Sequence, residues 1–307
     1  MQDSTPIPAD RLAALPRLGV GVSYQGTLRD FVLERPESYD FLEIIPDTFW
    51  VDRGAGTAPR YQESPDAPGF LGRLREMDKA LICHSVGMSI GSAELFDPEY
   101  VDQLVSWQGR FGFPWQSDHL SFNRLEEHGT GQMIDVGFTM PVPYDEEVLE
   151  MLASRVEYVQ SRTPVPFLLE NNVYYFSIPG QDMSEPEFLN RLSERTGCGL
   201  LLDLHNVHVN STNHGFDPWK DFLGQLDLSR VVEIHIAGGL TIDGVYLDAH
   251  SGPCPEPVWK LLREIVPQAP NLKAVVFEIF GSYYNGLGAD RLAEELRHAR
   301  EIFAKAA

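Results

Sequence analysis

The sequence predicts an α/β fold, a closed (β/α)8 barrel, from two observations. Eight short apolar runs of strand length recur along the 307 residues, and stretches with helical spacing separate them. Strands that alternate with helices form parallel βαβ units, and eight such units close into a barrel within roughly 250 to 300 residues. We therefore expect a single domain over residues 1–307, with the barrel at about 17–305 and residues 1–16 as an N-terminal extension.

The predicted strands are bounded by turn residues or by helical stretches. In chain order they are RLGVGVSY (17–24), YDFLEIIPD (39–47), KALICHSV (79–86), WQSDHLSF (115–122), PFLLENN (166–172), GLLLDLHN (199–206), VVEIHIAGG (231–239) and AVVFEIF (274–280).

Several helical stretches begin with N-cap signals. Asp97 and Asp217 each precede a proline, and Ser184 is followed three residues later by Glu187. Gly197 is placed to end the helix that Ser184 begins. The stretches are DPEYVDQLVSWQGRF, YDEEVLEMLASRVEYVQSR, SEPEFLNRLSERTG, FDPWKDFLGQL, PEPVWKLLREIV and GADRLAEELRHAREIFAKA.

A closed barrel is favoured over an open doubly wound sheet. An open sheet concentrates its site at one switch point, usually beside a glycine-rich turn. Neither GxGxxG nor GxxxxGK[ST] follows any predicted strand, and polar residues end most of the strands instead. Two longer insertions, 51–69 and 123–143, follow the second and fourth strands. On a barrel we expect both to lie at the rim of the mouth, where substrate-binding loops belong.

Composition argues against several classes of protein. The formal net charge of −21 disfavours binding to nucleic acid or to an anionic membrane, because both attract clusters of Lys and Arg. The chain has no run of about 18 apolar residues and no signal peptide, so we expect a cytoplasmic protein. Cys83, Cys198 and Cys254 are too scattered for a disulfide framework or a zinc knuckle. The acidity fits solubility with carboxylates near metal, or attraction of a basic partner or peptide.

Histidines and carboxylates gather at the ends of the predicted strands, which meet at one mouth in a barrel. Buried polar groups are costly unless paired or coordinated, and carboxylates and neutral imidazoles are good metal ligands. An inventory of N and O donors without thiolate suits two or three first-row ions such as iron, manganese or zinc. Strand by strand, the candidates are His84; Asp118 and His119; Glu170 and Asn171; Asp203, His205 and Asn206; His235; Asp248 and His250; and Glu278.

Some of these residues fit a second role. A lone histidine at a strand end is more often structural, but several at the same end of the barrel favour ligation. Asn171 and Asn206 could equally cap a turn, and His205 and His208 fit either ligation or a hydrogen bond to a ligand. Glu43 and Asp47, on the second strand, could each hold a ligand histidine by a hydrogen bond.

Six motifs, read in order, resemble those of the DUF692 family of multinuclear non-haem iron-dependent oxidases. They are HSVGMSIG, SDHLSF, LLENN, LLDLHNVHVN, EIHIAGG and LDAHSG, and the similarity runs from LGVGVSY to FEI. Each motif alone is weak evidence for the family, whereas six motifs in the same order are specific to it. By position, the resemblance implies metal ligation by His84, Asp118 or His119, Glu170, Asp203, Asn206, His235, Asp248, His250 and Glu278.

The sequence departs from the family pattern at several positions. The D-x-N-N-x-Y motif has His205 and His208 in place of its first Asn and its Tyr. The L-A-G-H motif ends in Gly239, so a ligand is lost there. The D-x-H-D motif ends in Ser251, and the E-N pair of the second strand is Asp47 followed by Thr48. Either His205 compensates for the absent histidine, or one metal position is remodelled or empty, so two or three ions remain possible.

The resemblance implies a xylose isomerase-like TIM barrel with two or three irons, Fe(II) or Fe(III), at its mouth and with dioxygen as co-substrate. Family members modify a residue of a ribosomally made precursor peptide, commonly Cys and in some members a C-terminal Asp or another residue. A separate protein generally recognises the leader of the precursor. We expect His84, Asp203 and His235 to be catalytic.

Two kinds of alternative stay open. A zinc- or manganese-dependent barrel hydrolase or isomerase shares the fold and the ligand types. A hydrolase of phosphate esters needs a basic rim, which this acidic chain lacks, and an isomerase would act on a free sugar without oxygen. A non-catalytic module that binds metal or peptide is suggested by the loss at Gly239.

Overall fold

Eight parallel strands form one closed barrel, which confirms the predicted fold. The computed structural model describes residues 10–127 and 133–306, so residues 1–9 of the predicted N-terminal extension and 128–132 of the second insertion lie outside it. In chain order the strands are β1 (Gly19–Ser23), β2 (Phe41–Ile44), β3 (Trp50–Asp52), β4 (Tyr61–Glu63), β5 (Ala80–Ser85), β6 (Gln116–His119), β7 (Ser121–Glu126), β8 (Met133–Pro141), β9 (Phe167–Glu170), β10 (Gly199–Asp203), β11 (Val231–Ala237), β12 (Leu240–Ile242), β13 (Val245–Leu247) and β14 (Ala274–Glu278).

The barrel strands follow the spatial order β1-β14-β11-β10-β9-β6-β5-β2, and β1 closes the barrel by pairing with β2 and β14. Gly21 lies opposite Phe41 on one side, and Gly19 lies opposite Ala274 on the other. The remaining strands form antiparallel hairpins, β3 with β4, β7 with β8 and β12 with β13.

Helices surround the barrel. They are α1 (Asp10–Ala13), α2 (Arg29–Glu34), α3 (Ala67–Glu76), α4 (Pro98–Phe111), α5 (Glu146–Arg162), α6 (Glu185–Thr196), α7 (Leu204–His214), α8 (Pro218–Asp221), α9 (Glu256–Ile265), α10 (Gly281–Leu287) and α11 (Ala289–Phe303). Across the two ranges described, none of these helices combines the length and the apolar character needed to span a membrane.

The predicted helix caps are present. Asp97 accepts hydrogen bonds from the backbone N–H groups of Glu99 and Tyr100, and Ser184 accepts one from Glu187. Each cap satisfies N–H groups that the first turn leaves free. Gly197 ends α6 in the left-handed conformation, at φ 73°, which glycine adopts without steric cost.

Two layers of side chains form the core. An inner cluster fills the barrel end nearest the strand starts; its members are Leu12, Phe41, Ile82, Trp115, Leu168, Leu201, Val232, Ala274 and Val276. A larger cluster lies between the strands and the helices and includes Cys83, Leu169, Leu202 and Phe277. Because successive side chains of a strand point to opposite faces, each barrel strand contributes to both layers. The inner cluster stops short of the strand ends and leaves room there for polar side chains.

Two predicted strands differ from the structure. The run 115–122 contains the end of one strand and the start of another, because β6 ends at His119 and β7 begins at Ser121. The run 199–206 is not a strand throughout, because β10 ends at Asp203 and α7 begins at Leu204. The Asp203 carboxylate caps α7 by accepting a hydrogen bond from the Asn206 N–H at 2.8 Å. His205 and Asn206 therefore lie on the first turn of a helix.

Candidate metal centre

Strand alternation brings the polar side chains of the site into the barrel. Ile82 belongs to the inner cluster, and His84, two residues further along β5, lies above it on the same face. Leu168 and Glu170 are related in the same way on β9. The same spacing relates Phe41 to Glu43, Leu201 to Asp203 and Val276 to Glu278.

His84, His119 and Glu170 form the first group of potential ligands. Nε2 of His84 and Nε2 of His119 each lie 3.3 Å from Oε2 of Glu170. The His84 ring is held by a 3.0 Å hydrogen bond between its Nδ1 and the Ser117 hydroxyl. That bond leaves Nε2 of His84 directed at the carboxylate, as in metal sites where the second ring nitrogen is fixed by a neighbour.

Burial controls the protonation of this group. It lowers the pKa of His84 well below the usual value and lowers that of His119 to about 4, while it raises the pKa of Glu170. Both imidazoles are therefore neutral near pH 7 and present a free lone pair. Oε2 of Glu170 has no hydrogen-bond partner although it is buried, so this carboxylate is suited to bind a cation.

His235 lies at the centre of the site, and both of its ring nitrogens face carboxylates. Nε2 lies 2.9 Å from Oε2 of Glu43 and 3.3 Å from Oε1 of Glu233, while Nδ1 lies 3.2 Å from Oε2 of Glu278. Burial opposes charge on the ring, but Glu43 and Glu278 raise the pKa of His235. A ligand histidine commonly donates its other N–H to a carboxylate. The geometry therefore makes Glu43 the anchor and Nδ1 the potential metal-binding atom.

His250 forms a further group with Asp203 and Glu278. Its Nε2 lies 2.8 Å from Oδ1 of Asp248 and 3.7 Å from Oε2 of Glu278. Burial lowers the pKa of His250, but the two carboxylates outweigh that effect and raise it to about 10. Asp248 and His250 lie together at the site, and His250 reaches it from a left-handed backbone at φ 42°.

The groups overlap, and bound metal ions account for their arrangement better than hydrogen bonds alone. The ligand atoms within each group lie within 4.8 Å of one another, and all ligands are nitrogen or carboxylate oxygen. Buried atoms without a hydrogen-bond partner include Oε1 of Glu43 and Oε2 of Glu170. The groups are His84, His119 and Glu170; Glu43, His235 and Glu278; Glu170, Asp203 and His235; and Asp203, His250 and Glu278.

Two asparagines connect the strands that carry Glu170 and Asp203. Asn171 donates from Nδ2 to the Asp203 carbonyl at 3.0 Å and accepts from the Asp203 N–H at 2.8 Å. Asn206 donates to the Asn171 carbonyl at 3.0 Å and reaches Oε1 of Glu170 at 3.4 Å. Oδ1 of Asn206 has no partner, so it remains available as a ligand.

The structure does not bring Asp118 into these groups. Asp118 and His119 are consecutive on β6, so their side chains point to opposite faces, and His119 is the one that faces the site. The Asp118 carboxylate instead accepts a 2.5 Å hydrogen bond from the Ser85 hydroxyl. Asp47 also bonds outside the groups, because it accepts from the Tyr100 hydroxyl at 2.7 Å rather than from a histidine.

His205 lies beside the groups without belonging to one. Its Nε2 is 3.5 Å from Oδ1 of Asp248, and neither ring nitrogen has a hydrogen-bond partner. Burial lowers the pKa of His205 to about 4, so the ring is neutral near pH 7. The two free nitrogens leave His205 able to bind an ion that Asp248 also contacts.

Gly239, where the family pattern has a histidine, has no room for a side chain. A Cβ atom there would lie 2.4 Å from the Leu247 carbonyl oxygen and 2.8 Å from the Tyr246 ring. The Gly239 N–H donates to the Tyr246 hydroxyl at 3.2 Å. Tyr246 also packs against His208, with ring centroids 5.1 Å apart. In this chain the β12–β13 hairpin fills the space beside Gly239.

A cavity of about 510 Å³ opens above the ligands. Its wall includes Phe138 and Thr139 of the second insertion, which confirms that this insertion lies at the rim. Residues of the first insertion, such as Asp52 and Arg60, line a neighbouring cavity of about 490 Å³ instead. Asp135 is common to both cavities, so the two spaces adjoin.

Two contributors to the site were not predicted. Glu233 is fully buried beside His235 and accepts a 2.8 Å hydrogen bond from the Trp115 indole. Its position two residues before His235 on one strand was the available signal. Tyr175 accepts a hydrogen bond from the Asp248 N–H at 3.0 Å, and no local pattern in the sequence indicates that contact.

Solved structures share the barrel. D-psicose 3-epimerase with D-tagatose from Clostridium cellulolyticum H10 is similar with a TM-score of 0.57 and 13% identity, over 94% of this chain and 99% of that one. A xylose isomerase-like TIM barrel protein from Mycobacterium smegmatis in complex with magnesium has a TM-score of 0.56 and 14% identity, over 96% and 98%. At this level of identity the similarity shows the fold alone.

Sequence relatives are proteins of the UPF0276 group. The one from Anaeromyxobacter sp. (strain Fw109-5) is 32% identical over 288 residues, which cover 94% of this chain and 93% of the relative. The one from Streptomyces avermitilis is 33% identical over 258 residues, or 83% of this chain. The match covers 50% of that relative, so the chain spans about half its length.

The family assignment rests on nearly the whole chain. A sequence model described as RiPP precursor modification enzyme MbnB/TglH/ChrH matches residues 19–304, from β1 to the end of α11. RiPPs are ribosomally synthesised and post-translationally modified peptides. The match includes all six motifs and confirms the resemblance seen in them. The chain belongs to the MbnB/TglH/ChrH family of RiPP precursor modification enzymes.

Proposed function

We propose that the chain is a multinuclear iron-dependent oxidase that uses dioxygen to modify one residue of a ribosomally synthesised precursor peptide. The overlap of the ligand groups carries this proposal. Glu170, Asp203, His235 and Glu278 each belong to two of the groups. A single catalytic ion commonly takes three protein ligands, whereas carboxylates shared between groups suit two or three neighbouring ions.

Each ion has its own ligands in this proposal. His84, His119 and Glu170 would hold one ion, and Asp203, His250 and Glu278 would hold another. His235, with Asp248, Asn206 and His205 as further ligands, would complete these positions or a third. Iron there supplies activation of dioxygen and a positive charge that lowers the pKa of a substrate thiol or carboxyl group.

The chain positions its ligands and shields the site. Glu43 fixes the His235 ring at 2.9 Å, and Ser117 fixes that of His84 at 3.0 Å. Phe138, Tyr175 and Phe280 line the cavity of about 510 Å³, which has room for the end of a peptide. A cysteine is the proposed target residue, and a C-terminal aspartate is the alternative, because the anionic form of either binds a cationic centre.

A separate partner protein that recognises the leader of the precursor is part of the proposal. The strand β8 at the rim exposes apolar side chains, with Ile134 43% and Phe138 63% exposed. Exposed apolar residues beside a polar cavity are typical of surfaces that contact another chain. These residues would guide the peptide towards the cavity.

Co-expression tests the proposal. The chain is expressed with each short open reading frame that flanks its own gene, and the peptide products are analysed by high-resolution mass spectrometry. We expect a mass change in one peptide that requires iron and dioxygen. His84→Ala and His235→Ala should abolish it, while Glu187→Gln, on the exposed face of α6, should retain it. A modification that proceeds without oxygen, or that survives both histidine substitutions, would overturn the proposal.

A further inference from the structure

A second cavity lies outside the barrel, beside the metal centre. It has a volume of about 320 Å³ and lies between the loop that follows β9, the start of α6 and the end of α7. Its principal wall residues are Tyr144, Tyr174, Phe176, Glu185, Phe216 and Phe222.

Glu185 places a carboxyl group in this cavity without a counter-charge. The residue is 7% exposed, and its buried Oε1 has no hydrogen-bond partner. The Tyr144 hydroxyl and the Asn172 backbone support the other side of the group, but burial outweighs them and raises the pKa of Glu185 to about 8. Among the described residues that line the cavity there is no Lys or Arg, and its one histidine, His214, directs Nε2 to the Tyr174 carbonyl at 3.0 Å. A buried acceptor without a partner is costly, which suggests that a ligand completes it.

The remaining walls define the chemistry of that ligand. Tyr144 and Phe222 are buried, whereas Phe176 is 47% exposed at the opening. Aromatic faces attract organic cations, and a carboxylate beside them adds a charge-assisted hydrogen bond. A metal ion would need several further oxygen or nitrogen ligands close to Glu185, and among the described residues Glu185 belongs to none of the groups of potential metal ligands. The cavity is therefore suited to an ammonium or guanidinium group on an alkyl chain.

Neighbouring residues connect this cavity to the metal centre. Tyr174 and Phe176 line it, whereas Tyr175, between them, lines the larger cavity above the ligands. The Tyr175 hydroxyl accepts a hydrogen bond from the N–H of Asp248. A peptide that crosses this loop can therefore contact both cavities. The net charge of −21 favours a peptide with basic residues.

We infer that the cavity at Glu185 binds the Lys or Arg side chain of a peptide substrate whose target residue enters the metal centre. The assignment of that side chain to the substrate rests on the proposed function. The binding of the cation rests only on the cavity. Binding of the cation releases the proton that Glu185 holds in the empty cavity, the resulting carboxylate pairs with the cation, and the aromatic side chains enclose the alkyl stem of the ligand.

Calorimetric titration with matched peptides tests the inference. The probes are acetyl-Gly-Arg-Gly-amide, acetyl-Gly-Lys-Gly-amide and acetyl-Gly-citrulline-Gly-amide, in which citrulline is the neutral analogue of arginine. We expect the Arg or Lys peptide to bind at least about tenfold more tightly than the citrulline peptide, a difference of about 1.4 kcal/mol. Glu185→Gln should remove this preference, whereas Glu187→Gln on the same helix should keep it. Equal binding of the charged and neutral peptides would overturn the inference.

Further measurements serve as controls for this test. Phe176→Ala, at the exposed opening, should weaken the charged peptide severalfold without affecting the fold, and an unchanged affinity would count against the aromatic enclosure. Binding of n-butylguanidinium without binding of the Arg peptide would contradict a peptide ligand. Metal content is measured on the same samples. Normal iron with no cation binding overturns only this inference, whereas cation binding without iron overturns only the proposed function.

Discussion

Nε2 of His235 lies 2.9 Å from Oε2 of Glu43, and neither side chain is exposed to solvent. The two residues are on strands that do not pair with each other, so the contact crosses the interior of the barrel. It fixes one ring nitrogen of His235 and leaves Nδ1 directed towards Glu278. The orientation of the central histidine is thus set by a carboxylate beneath it.

Substitution of the anchor should weaken metal binding without loss of the fold. In Glu43→Gln the side chain keeps its shape, but an amide replaces the carboxyl group that orients His235. Loss of such a partner commonly lowers metal affinity by about 10- to 100-fold. Anaerobic competition with a chelator measures the change, with Glu187→Gln as the control. An affinity equal to that of the unsubstituted chain would show that Glu43 does not act through His235.

Asp118 and His119 should respond differently to substitution. His119 faces Glu170 at 3.3 Å, whereas Asp118 accepts a hydrogen bond from Ser85 on the other face of β6. We expect His119→Ala to lower the iron content and Asp118→Asn, which retains the hydrogen bond, to leave it unchanged. The iron content of the two variants shows which of the two residues binds the metal. Loss of iron in Asp118→Asn alone would reverse the assignment.

Gly239→Ala should destabilise the fold. Its Cβ would lie 2.4 Å from the Leu247 carbonyl oxygen, a backbone atom that moves only with the hairpin. Overpacking of this kind costs about 1 to 3 kcal/mol. Gly286→Ala is the control, because a Cβ there has nothing within 4 Å. Urea denaturation of both variants gives the comparison. Equal free energies of unfolding for the two variants would mean that the hairpin shifts to accommodate the added methyl group at little cost in stability.

The pH dependence of stability should change in Glu185→Gln. Burial raises the pKa of Glu185 from 4.5 to about 8, so the native state holds a proton that the unfolded state has lost. This contribution to stability is complete below about pH 4.5 and is lost as the pH rises through about 8. Between these limits the free energy of unfolding should fall by at most about 1.4 kcal/mol per pH unit relative to the variant.

Denaturation curves at pH 5, 6, 7 and 8 measure this difference. Other titrating groups are common to both chains, so subtraction isolates Glu185. Parallel pH profiles for the two chains would show that Glu185 is ionised in the native protein across this range.

The barrel could be predicted from the sequence because its strands and helices are indicated by patterns among neighbouring residues. Alternation within each strand and the caps at Asp97 and Ser184 depend on neighbouring residues only. The end of β10 was missed because the apolar run continues into α7, and the Asp203 cap is visible only once the helix has formed. Local pattern also left the choice between Asp118 and His119 open, since it does not fix which face of β6 turns inward.

Contacts between distant elements could not be predicted. The Tyr246 ring occupies the space beside Gly239 through a hairpin that packs against α7. The cavity at Glu185 is formed by segments separated by up to about 80 residues, and each looks like an ordinary loop or helix start in the sequence. Their chemistry appears only when the fold brings them together.

Metal content of the anaerobically purified chain tests the multinuclear centre most directly. The chain is expressed with added iron, purified without oxygen and analysed for all first-row metals by mass spectrometry. Overlapping groups that share Glu170, Asp203, His235 and Glu278 predict two to three irons per chain. Less than one iron, with zinc filling the sites instead, would contradict an iron-dependent oxidase.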